Sequence, residues 1–351
     1  MHSLDIRYLD SLKFLARHAS TITKIGEFKG KQELFARQTP EMLNTLVELA
    51  KIESTESSNR IEGITAPHKK IEDLVLRNTN PGNRPEQEIA GYRDALDLIH
   101  ESGQYMDFSN NIILQLHSIV YRHLPEDGGK WKTSENEIVE KNPDGTIHRI
   151  RFSPVEAFRT PEAMNSLVKG YDEAIRIHNK EHLFVIPLAI LDFLCVHPFQ
   201  DGNGRVGRLL VLLLLYHAGY EVGRYISLER VVEESKETYY EALEKSSLGW
   251  HEGKHDPFPW LEYFWGMMIK AYKEFEERVG TVSTGKGSKT DHIITVVKRR
   301  IGPFSVADIQ KECHGISVDL IRKVLGQLKA EGVITLMERG RYAKWILREG
   351  E

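Results

Sequence analysis

The sequence predicts a mainly α-helical protein that carries one small β-hairpin and ends in a winged-helix domain. Apolar residues recur at helical spacing over most of the chain, for example at Leu43, Leu46 and Val47. Two short runs of alternating polar and apolar residues flank the turn-forming segment 142–145, which is typical of a hairpin. Near the C-terminus, three short helical patterns precede a strand–turn–strand pattern around residues 339–340, which is the element order of a winged helix.

These patterns divide the chain into four parts. Residues 1–85 form an N-terminal helical region that closes at the turn-rich string NPGNRP. Residues 86–280 form a helical core, and the predicted hairpin lies within it at 138–153. Residues 281–290 lack apolar periodicity and are predicted to be a linker. Residues 291–351 form the predicted winged-helix domain.

The composition indicates a globular protein of a reducing compartment. Hydrophobic residues make up 40% of the 351 residues, and the two cysteines, Cys195 and Cys313, are too few for a disulfide framework. The first residues lack the basic start and apolar run of a signal peptide. The longest apolar run, 209–216, is too short to span a bilayer. We therefore expect a cytoplasmic protein without a membrane partner.

Charge is distributed unevenly along the chain. Residues 286–348 contain thirteen Lys and Arg against six Asp and Glu, a net charge of +7, whereas the whole chain has −4 and the remainder therefore −11. A basic module beside an acidic body suggests that only the small C-terminal part contacts nucleic acid. DNA is thus a candidate partner of the winged helix alone.

The string HPFQDGNGRVGR, residues 197–208, is a polar glycine-rich turn between two apolar helical patterns. Gly202 and Gly204 are expected to let the backbone turn tightly, and Asn203 is expected to cap the next helix. The first N–H groups of that helix then form an anion site. Arg205 and Arg208 are three residues apart, so we expect both to project to one side and to bind more than one phosphate.

Two further residues of this string complete a reaction site. Asp201, beside a polyphosphate, is the natural ligand for Mg²⁺. His197 precedes it by four residues, and its imidazole is suited to take a proton near neutral pH. A base, a metal-binding acid and a phosphate site together favour attack by a hydroxyl group on a nucleotide phosphate.

The string resembles the signature of Fic-domain proteins, HxFx(D/E)GNGRxxR. It matches every defined position: His197, Phe199, Asp201, Gly202, Asn203, Gly204, Arg205 and Arg208. The resemblance implies a Fic-type helical core with a hairpin flap, and Mg²⁺-dependent transfer of AMP from ATP to a Ser, Thr or Tyr hydroxyl of a target protein. It implies that His197 is the general base, that Asp201 holds the metal, and that residues 202–208, Val206 and Gly207 included, bind the nucleotide.

A second string, SSNRIEG at 57–63, resembles the inhibitory (S/T)xxxE(G/N) motif of some Fic proteins. Ser58 and Glu62 are four residues apart and share one face of a helix. The resemblance implies that Glu62 pairs with Arg208 and keeps the γ-phosphate out of a productive position. Self-modification and a homo-oligomer that controls access to Glu62 are also implied by the resemblance alone.

The resemblance extends to a docking flap and to an adenosine contact. The working edge of the flap is predicted at Arg149, Ile150, Arg151, Phe152 and Ser153, which would pair with a target segment through main-chain hydrogen bonds. Tyr239 or Tyr240 is expected to contact the adenosine. Ser247 stands where the family often has an asparagine, which leaves that contact less well defined.

Other patterns support other functions. HEGKH at 251–255 satisfies the zinc-protease pattern H-E-x-x-H, but Gly253 and Pro257 disfavour the continuous helix that the pattern needs. GKGSKT at 285–290 fails the phosphate-loop template. The basic residues Arg322, Lys323 and Lys329, with Arg339, Arg341 and Lys344, leave open a DNA-binding regulator whose Fic site senses nucleotide or removes AMP.

Overall fold

The computed structural model describes residues 3–38, 40–141, 146–283, 288–298, 300, 302–313, 316–338 and 344–347. Within these ranges the chain is mainly helical and forms two compact units, residues 1–273 and 274–351. The predicted mainly α-helical class with one small hairpin is confirmed. No helix of the described ranges combines the length and the apolar character that crossing a bilayer requires.

Four helices precede the core. They are α1 (Ile6–Ser11), α2 (Ala16–Gln38), α3 (Pro40–Ile61) and α4 (His68–Arg77). Helix α3 packs against the first core helix and against a helix near residue 230, so the N-terminal region belongs to the first compact unit. Its contact face is unusually polar, since Ser54, Thr55, Ser58 and Asn59 are all buried. This face matters for the site described below.

The core of the first unit is built around two buried apolar helices. Its helices are α5 (Arg84–Ser102), α6 (Asn110–Val120), α7 (Thr160–Asp172), α8 (His182–Val196) and α9 (Asn203–His217). Helices α8 and α9 pack against each other, and nearly all their apolar side chains are buried because apolar residues cover almost every face. The glycine-rich turn that joins them is residues 197–202.

The hairpin lies between α6 and α7. Strand β1 (Ile138–Lys141) pairs antiparallel with β2 (Ile147–Phe152), with register irregularities between Ile138 and Val139 and between Glu140 and Lys141. The predicted turn at 142–145 lies outside the described residues. Three helices follow α9: α10 (Leu228–Glu234), α11 (Lys236–Ser247) and α12 (Phe258–Ser283).

The second unit contains α13 (Ser288–Lys298), β3 (Phe304–Ser305), α14 (Val306–Glu312), α15 (Val318–Ala330), β4 (Ile334–Glu338) and β5 (Lys344–Leu347). The three strands form an antiparallel sheet in the order β3-β5-β4. An apolar core that includes Ile293, Phe304, Ile309 and Leu325 joins the helices to this sheet.

Helix extends into both ends of the segment that the sequence predicts as a linker. Helix α12 continues through Ser283 and α13 begins at Ser288, so helix covers both ends of the segment 281–290. Residues 284–287 lie outside the described residues. The division between the two units falls between Lys273 and Glu274, within α12, whereas the sequence analysis placed it at 280.

Candidate active site

The turn between α8 and α9 begins and ends in left-handed backbone. His197 follows the last residue of α8 with φ 51° and ψ 61°, and Gly202 precedes α9 with φ 82°. Gly202 adopts this conformation without steric cost, as expected. A histidine there costs about 1–2 kcal/mol, so the surrounding structure must hold His197 in place.

The His197 ring has a defined tautomer. Its Nδ1 lies 3.2 Å from the carbonyl oxygen of Leu194, which can only accept, so Nδ1 carries the proton and Nε2 keeps its lone pair. The pKa of His197 is lowered to about 4, mainly by burial and in part by the charge of Lys132, against the opposing effects of the Leu194 hydrogen bond, Glu62 and Asp201. The imidazole is therefore neutral at pH 7 and able to accept a proton at Nε2.

Asp201 presents a charged carboxylate at the surface of the turn. Its side chain is 76% exposed, and its Oδ2 accepts a 2.7 Å hydrogen bond from the Tyr121 hydroxyl. Partial burial raises the pKa of Asp201, but the Tyr121 hydrogen bond and the charge of Arg205 outweigh it and lower the pKa overall. The carboxylate is ionised at neutral pH and accessible to a cation.

The first turn of α9 offers free N–H groups. The hydrogen bond from the Val206 N–H to the Gly202 carbonyl is the first of the helix, so the N–H groups of residues 203–205 have no partner within it. With the helix dipole, these groups attract an anion. The turn thus has free N–H groups at the place where the sequence predicts an anion site.

Asn203 and Gly204 act differently from the sequence prediction. The Asn203 side chain does not cap α9; its Oδ1 accepts from the Phe199 N–H and its Nδ2 donates to the Phe199 carbonyl, each at 2.8 Å. Gly204 is not a turn residue but lies within the first turn of α9. A Cβ atom there would lie 2.3 Å from Glu62 Oε1, so the absent side chain makes room for that carboxylate.

Glu62 and Ser58 bind Arg208 from the end of α3. Arg208 Nη2 donates to Glu62 Oε1 at 2.8 Å and to the Ser58 carbonyl at 2.9 Å, while its Nε donates to Ser58 Oγ at 2.9 Å. The Arg208 side chain is 6% exposed and that of Glu62 is 32% exposed. Burial lowers the pKa of Arg208, but Glu62, together with Tyr239 and Tyr92, raises the pKa above its usual value overall. The Glu62 carboxylate thus occupies space beside the anion site.

Arg205 does not share the environment of Arg208, contrary to the expectation that both project to one side. Its side chain is 1% exposed, and Nη1 donates to Glu88 Oε2 on α5 at 2.9 Å. Its Nη2 lies 3.4 Å from Asp201 Oδ2, and its guanidinium lies over the Tyr121 ring. Arg205 therefore anchors the turn to α5 and orients Asp201.

Val206 and Gly207 occupy core positions rather than phosphate-facing ones. Val206 is fully buried. A Cβ atom on Gly207 would lie 3.3 Å from the Leu194 side chain and 3.6 Å from that of Phe193. Gly207 therefore allows α9 to approach α8 closely.

The two tyrosines of α11 have different surroundings. Tyr239 is 5% exposed and lies beside Arg208 and Trp260. Tyr240 is half-buried, and the guanidinium of Arg151 lies 5.7 Å from its ring centroid. Tyr240 is thus the tyrosine next to the hairpin. Ser247 is buried, and its hydroxyl donates to the Glu244 carbonyl within α11.

The predicted flap residues separate into two groups. Arg149 binds Glu140 across the hairpin and Glu244 on α11, and Arg151 binds Glu140 at 3.1 Å. Ile150 is 51% exposed. At the other end, Phe152 stacks on His251, and the Ser153 carbonyl accepts from His251 Nε2 at 2.8 Å. The exposed part of β2 is therefore residues 147–150, Arg151 is partly buried, and residues 152–153 anchor the strand to His251.

The structure removes the geometric basis for a zinc site at HEGKH. Residues 251–255 lie in turns between α11 and α12 rather than on a helix, with Gly253 at φ 64°. His251 binds the hairpin, whereas His255 is buried against Ser3 and the Tyr8 ring. Among the described residues no group of three or more His, Cys, Asp or Glu is arranged to hold a metal ion.

Several residues that support the turn belong to no motif of the sequence. His117 on α6 stacks on Phe199 at 3.8 Å, and its Nδ1 accepts from the Gly129 N–H, so Nε2 donates to the Asp201 carbonyl. Burial lowers the pKa of His117 to about 4. Tyr121 lies one helical turn after His117 and binds Asp201. The spacing of these two residues on one helix face is the only sequence signal for them.

The comparisons with known proteins agree with this geometry. Residues 107–215, which run from before α6 almost to the end of α9, match the Fic/DOC family. The chain contains a Fic domain. A probable protein adenylyltransferase from Aquifex aeolicus is 25% identical over 183 residues, 51% of this chain and 50% of the relative. The protein adenylyltransferase Fic of Nematostella vectensis is 24% identical over 203 residues, 55% of this chain and 42% of the relative.

The structural similarity of this chain to Fic proteins extends beyond residues 107–215. A crystal structure of a Fic family protein from Desulfovibrio desulfuricans superimposes with a TM-score of 0.62 at 19% identity, covering 97% of this chain and 98% of that chain. This likeness concerns the fold alone. The chain spans half or less of the length of the two curated relatives named above.

Proposed function

We propose that this chain transfers AMP from ATP to Ser, Thr or Tyr hydroxyls of a target protein, itself included, and that Glu62 restrains the reaction. The observation that carries the proposal is the arrangement of residues 197–208. A neutral imidazole with a free Nε2, an exposed carboxylate and a helix N-terminus with a buried arginine occur within one turn. The names of the curated relatives support the same reaction.

The residues present fit Mg²⁺. Asp201 offers an exposed, ionised carboxylate, and Mg²⁺ is usually bound by one or two carboxylates together with substrate phosphates. In this proposal Asp201 holds the metal, which neutralises phosphate charge when bound. Tyr121 and Arg205 keep the carboxylate oriented.

The proposed chemistry follows from the His197 tautomer. His197 Nε2 removes the proton from the target hydroxyl as its oxygen attacks the α-phosphorus of ATP. The bond between the α-phosphorus and the bridging oxygen to the β-phosphate breaks, and pyrophosphate leaves. The N–H groups of residues 203–205 and the Arg208 guanidinium bind the phosphates, once Glu62 has released Arg208. The proton remains on His197 until solvent removes it.

The hairpin is the proposed docking site for the target segment. Residues 147–150 of β2 are exposed and Arg151 is partly exposed, and an extended segment that pairs with a strand edge brings its hydroxyl to a fixed register. Tyr240, beside Arg151, is the proposed adenosine contact.

Mass spectrometry of the protein incubated with ATP and Mg²⁺ tests the reaction. We expect a mass increase of one AMP on the protein or on proteins of a source lysate, and its loss in His197→Ala. Equal labelling by wild type and His197→Ala would contradict the proposed base. Incubation of pre-labelled protein without ATP tests the reverse reaction, since loss of AMP would assign removal to the same site.

We also propose that the second unit is a winged helix that contacts DNA. Helix α15 buries Ile321, Val324, Leu325 and Leu328, and its opposite face exposes Arg322, Lys323 and Lys329. Such a face binds DNA phosphates. We expect binding of the full chain to duplex DNA that weakens as salt rises and falls in Lys323→Ala/Lys329→Ala, but not in Lys254→Ala, an exposed lysine of the first unit. Salt-independent binding, or none, would contradict this proposal.

A further inference from the structure

The loop of residues 128–136, between α6 and the hairpin, runs along the turn that carries His197. Its contacts go to four consecutive carbonyl oxygens of that turn, those of residues 196–199. Trp131 in the same loop stacks on Phe199 with ring centroids 5.4 Å apart. No motif of the sequence singles out this loop.

Lys132 supplies two of these contacts and is 4% exposed. Its backbone N–H donates to the Pro198 carbonyl at 2.8 Å, and its Nζ donates to the Val196 carbonyl at 3.2 Å. Val196 is the last residue of α8, so its carbonyl has no partner within the helix. An ammonium at a helix C-terminus also interacts favourably with the helix dipole. Lys132 therefore caps α8 at the residue before His197.

Asn136 completes the set. Its Nδ2 donates to the Phe199 carbonyl at 2.9 Å and lies 3.4 Å from the His197 carbonyl, while its Oδ1 accepts from Lys132 Nζ at 2.7 Å. The two side chains thus hold each other as well as the turn. Their combined hydrogen bonds offset the cost of the left-handed backbone at His197.

We infer that Lys132 and Asn136 are positioning residues for His197, which they hold in the conformation from which its imidazole serves as base. This inference rests on the proposed AMP transfer. Neither residue touches the nucleotide-binding turn of α9; both act through the backbone of residues 196–199. Their loss is expected to lower kcat and to leave ATP binding intact, because misplacement of a reacting group by about 1 Å costs up to about 100-fold in rate.

Lys132 also affects His197 through its charge. The charged groups that bear on the His197 ring are Lys132, which lowers its pKa, and Glu62 and Asp201, which raise it. Burial lowers the pKa of Lys132 to about 8, so Lys132 is mainly charged at pH 7. Removal of that charge leaves the two carboxylates unopposed, and the pKa of His197 must then rise.

The experiment compares Lys132→Met, Lys132→Arg and Asn136→Ala in the Glu62→Gly background, with Lys130→Met as the control. Lys130 lies two residues away, is exposed, and pairs only with Asp127 in the described contacts. We expect a kcat for AMP transfer about 10- to 100-fold lower in Lys132→Met and Asn136→Ala, with unchanged ATP affinity by calorimetry. Lys132→Arg keeps the charge and the donors, so most of the rate should return.

A pH titration separates positioning from a merely structural role. In ¹³C-histidine-labelled protein, assigned with His197→Ala, the His197 resonance should titrate at higher pH in Lys132→Met than in the parent or in Lys132→Arg. Unchanged kcat and an unchanged His197 titration in folded Lys132→Met would overturn the inference. If the parent Glu62→Gly protein transfers no AMP while the His197 titration in Lys132→Met shifts as expected, the proposed function fails and the positioning role stands.

Discussion

The Glu62→Gly variant is the most direct test of the proposal that Glu62 restrains AMP transfer. Glu62 Oε1 accepts from Arg208 at 2.8 Å, and the same carboxylate fills the space beside Gly204 at the start of α9. A hydrogen bond to a charged group contributes about 1.5–3 kcal/mol. Because the Glu62 side chain is 32% exposed, water screens part of this attraction, and we take the lower half of that range.

The expected gain follows from this magnitude. If the nucleotide phosphates must displace Glu62 from Arg208, removal of the carboxylate frees about 1.5–2.2 kcal/mol. Since about 1.4 kcal/mol corresponds to tenfold, AMP transfer at subsaturating ATP should rise about 10- to 40-fold. Arg208 keeps its two contacts to Ser58, so the site should stay assembled.

The assay measures incorporation of labelled AMP from ATP with Mg²⁺, with nucleotide affinity from calorimetry. Glu48→Gly is the matched control, because it removes an exposed glutamate from the same helix, α3. Equal AMP incorporation by wild type and Glu62→Gly, both folded and both binding ATP, would refute the assignment of Glu62. A rise of similar size in Glu48→Gly would show that loosening of α3, not loss of the carboxylate, is responsible.

Two further predictions concern stability. Gly204→Ala should lower the free energy of unfolding by no more than about 1 kcal/mol, because the atom that its Cβ meets is Oε1, at the flexible end of the Glu62 side chain, which can move away from Arg208; this cost should vanish in a Glu62→Gly background, and additive effects in urea unfolding would contradict the contact. Asp192 is fully buried, and burial raises its pKa from 3.8 to about 6, so the contribution of Asp192 to the free energy of unfolding should fall by about 3 kcal/mol as pH rises from about 4 to above 6. The difference in stability between wild type and Asp192→Asn, from thermal melts across that range, should change with pH in the same direction. A difference that stays constant with pH would contradict the raised pKa.

The helix–turn–helix at 197–208 was predictable because its signals are local. Gly202 starts α9 through its own backbone freedom, and the apolar runs on each side of the turn define α8 and α9. The contact of Glu62 with Arg208 spans 146 residues, and only the resemblance to a known motif suggested it. The hairpin strands were likewise visible in their alternation, but not their attachment to α11 through Arg149.

The errors have a common physical cause. A side chain's role in this site depends on partners far along the chain, and residue type and spacing do not reveal those partners. Arg205 is buried because Glu88, 117 residues earlier, pairs with it. Gly204 is small because Glu62 needs its space, not because the backbone turns there. Asn203 binds backwards to Phe199 rather than forwards to α9.

The position of Glu62 one residue beyond the end of α3 determines how the restraint can be released. Ser58, one helical turn earlier, is buried and remains bound to Arg208 through its own hydroxyl and carbonyl. A change of rotamer at Glu62, which is partly solvated, is therefore enough to release Arg208 from the carboxylate. The buried contacts between Ser58 and Arg208 need not change. Rotamer changes of exposed side chains take picoseconds to nanoseconds, so opening needs no domain rearrangement. Anions that bind Arg208 in place of Glu62 should therefore shift the population toward open molecules.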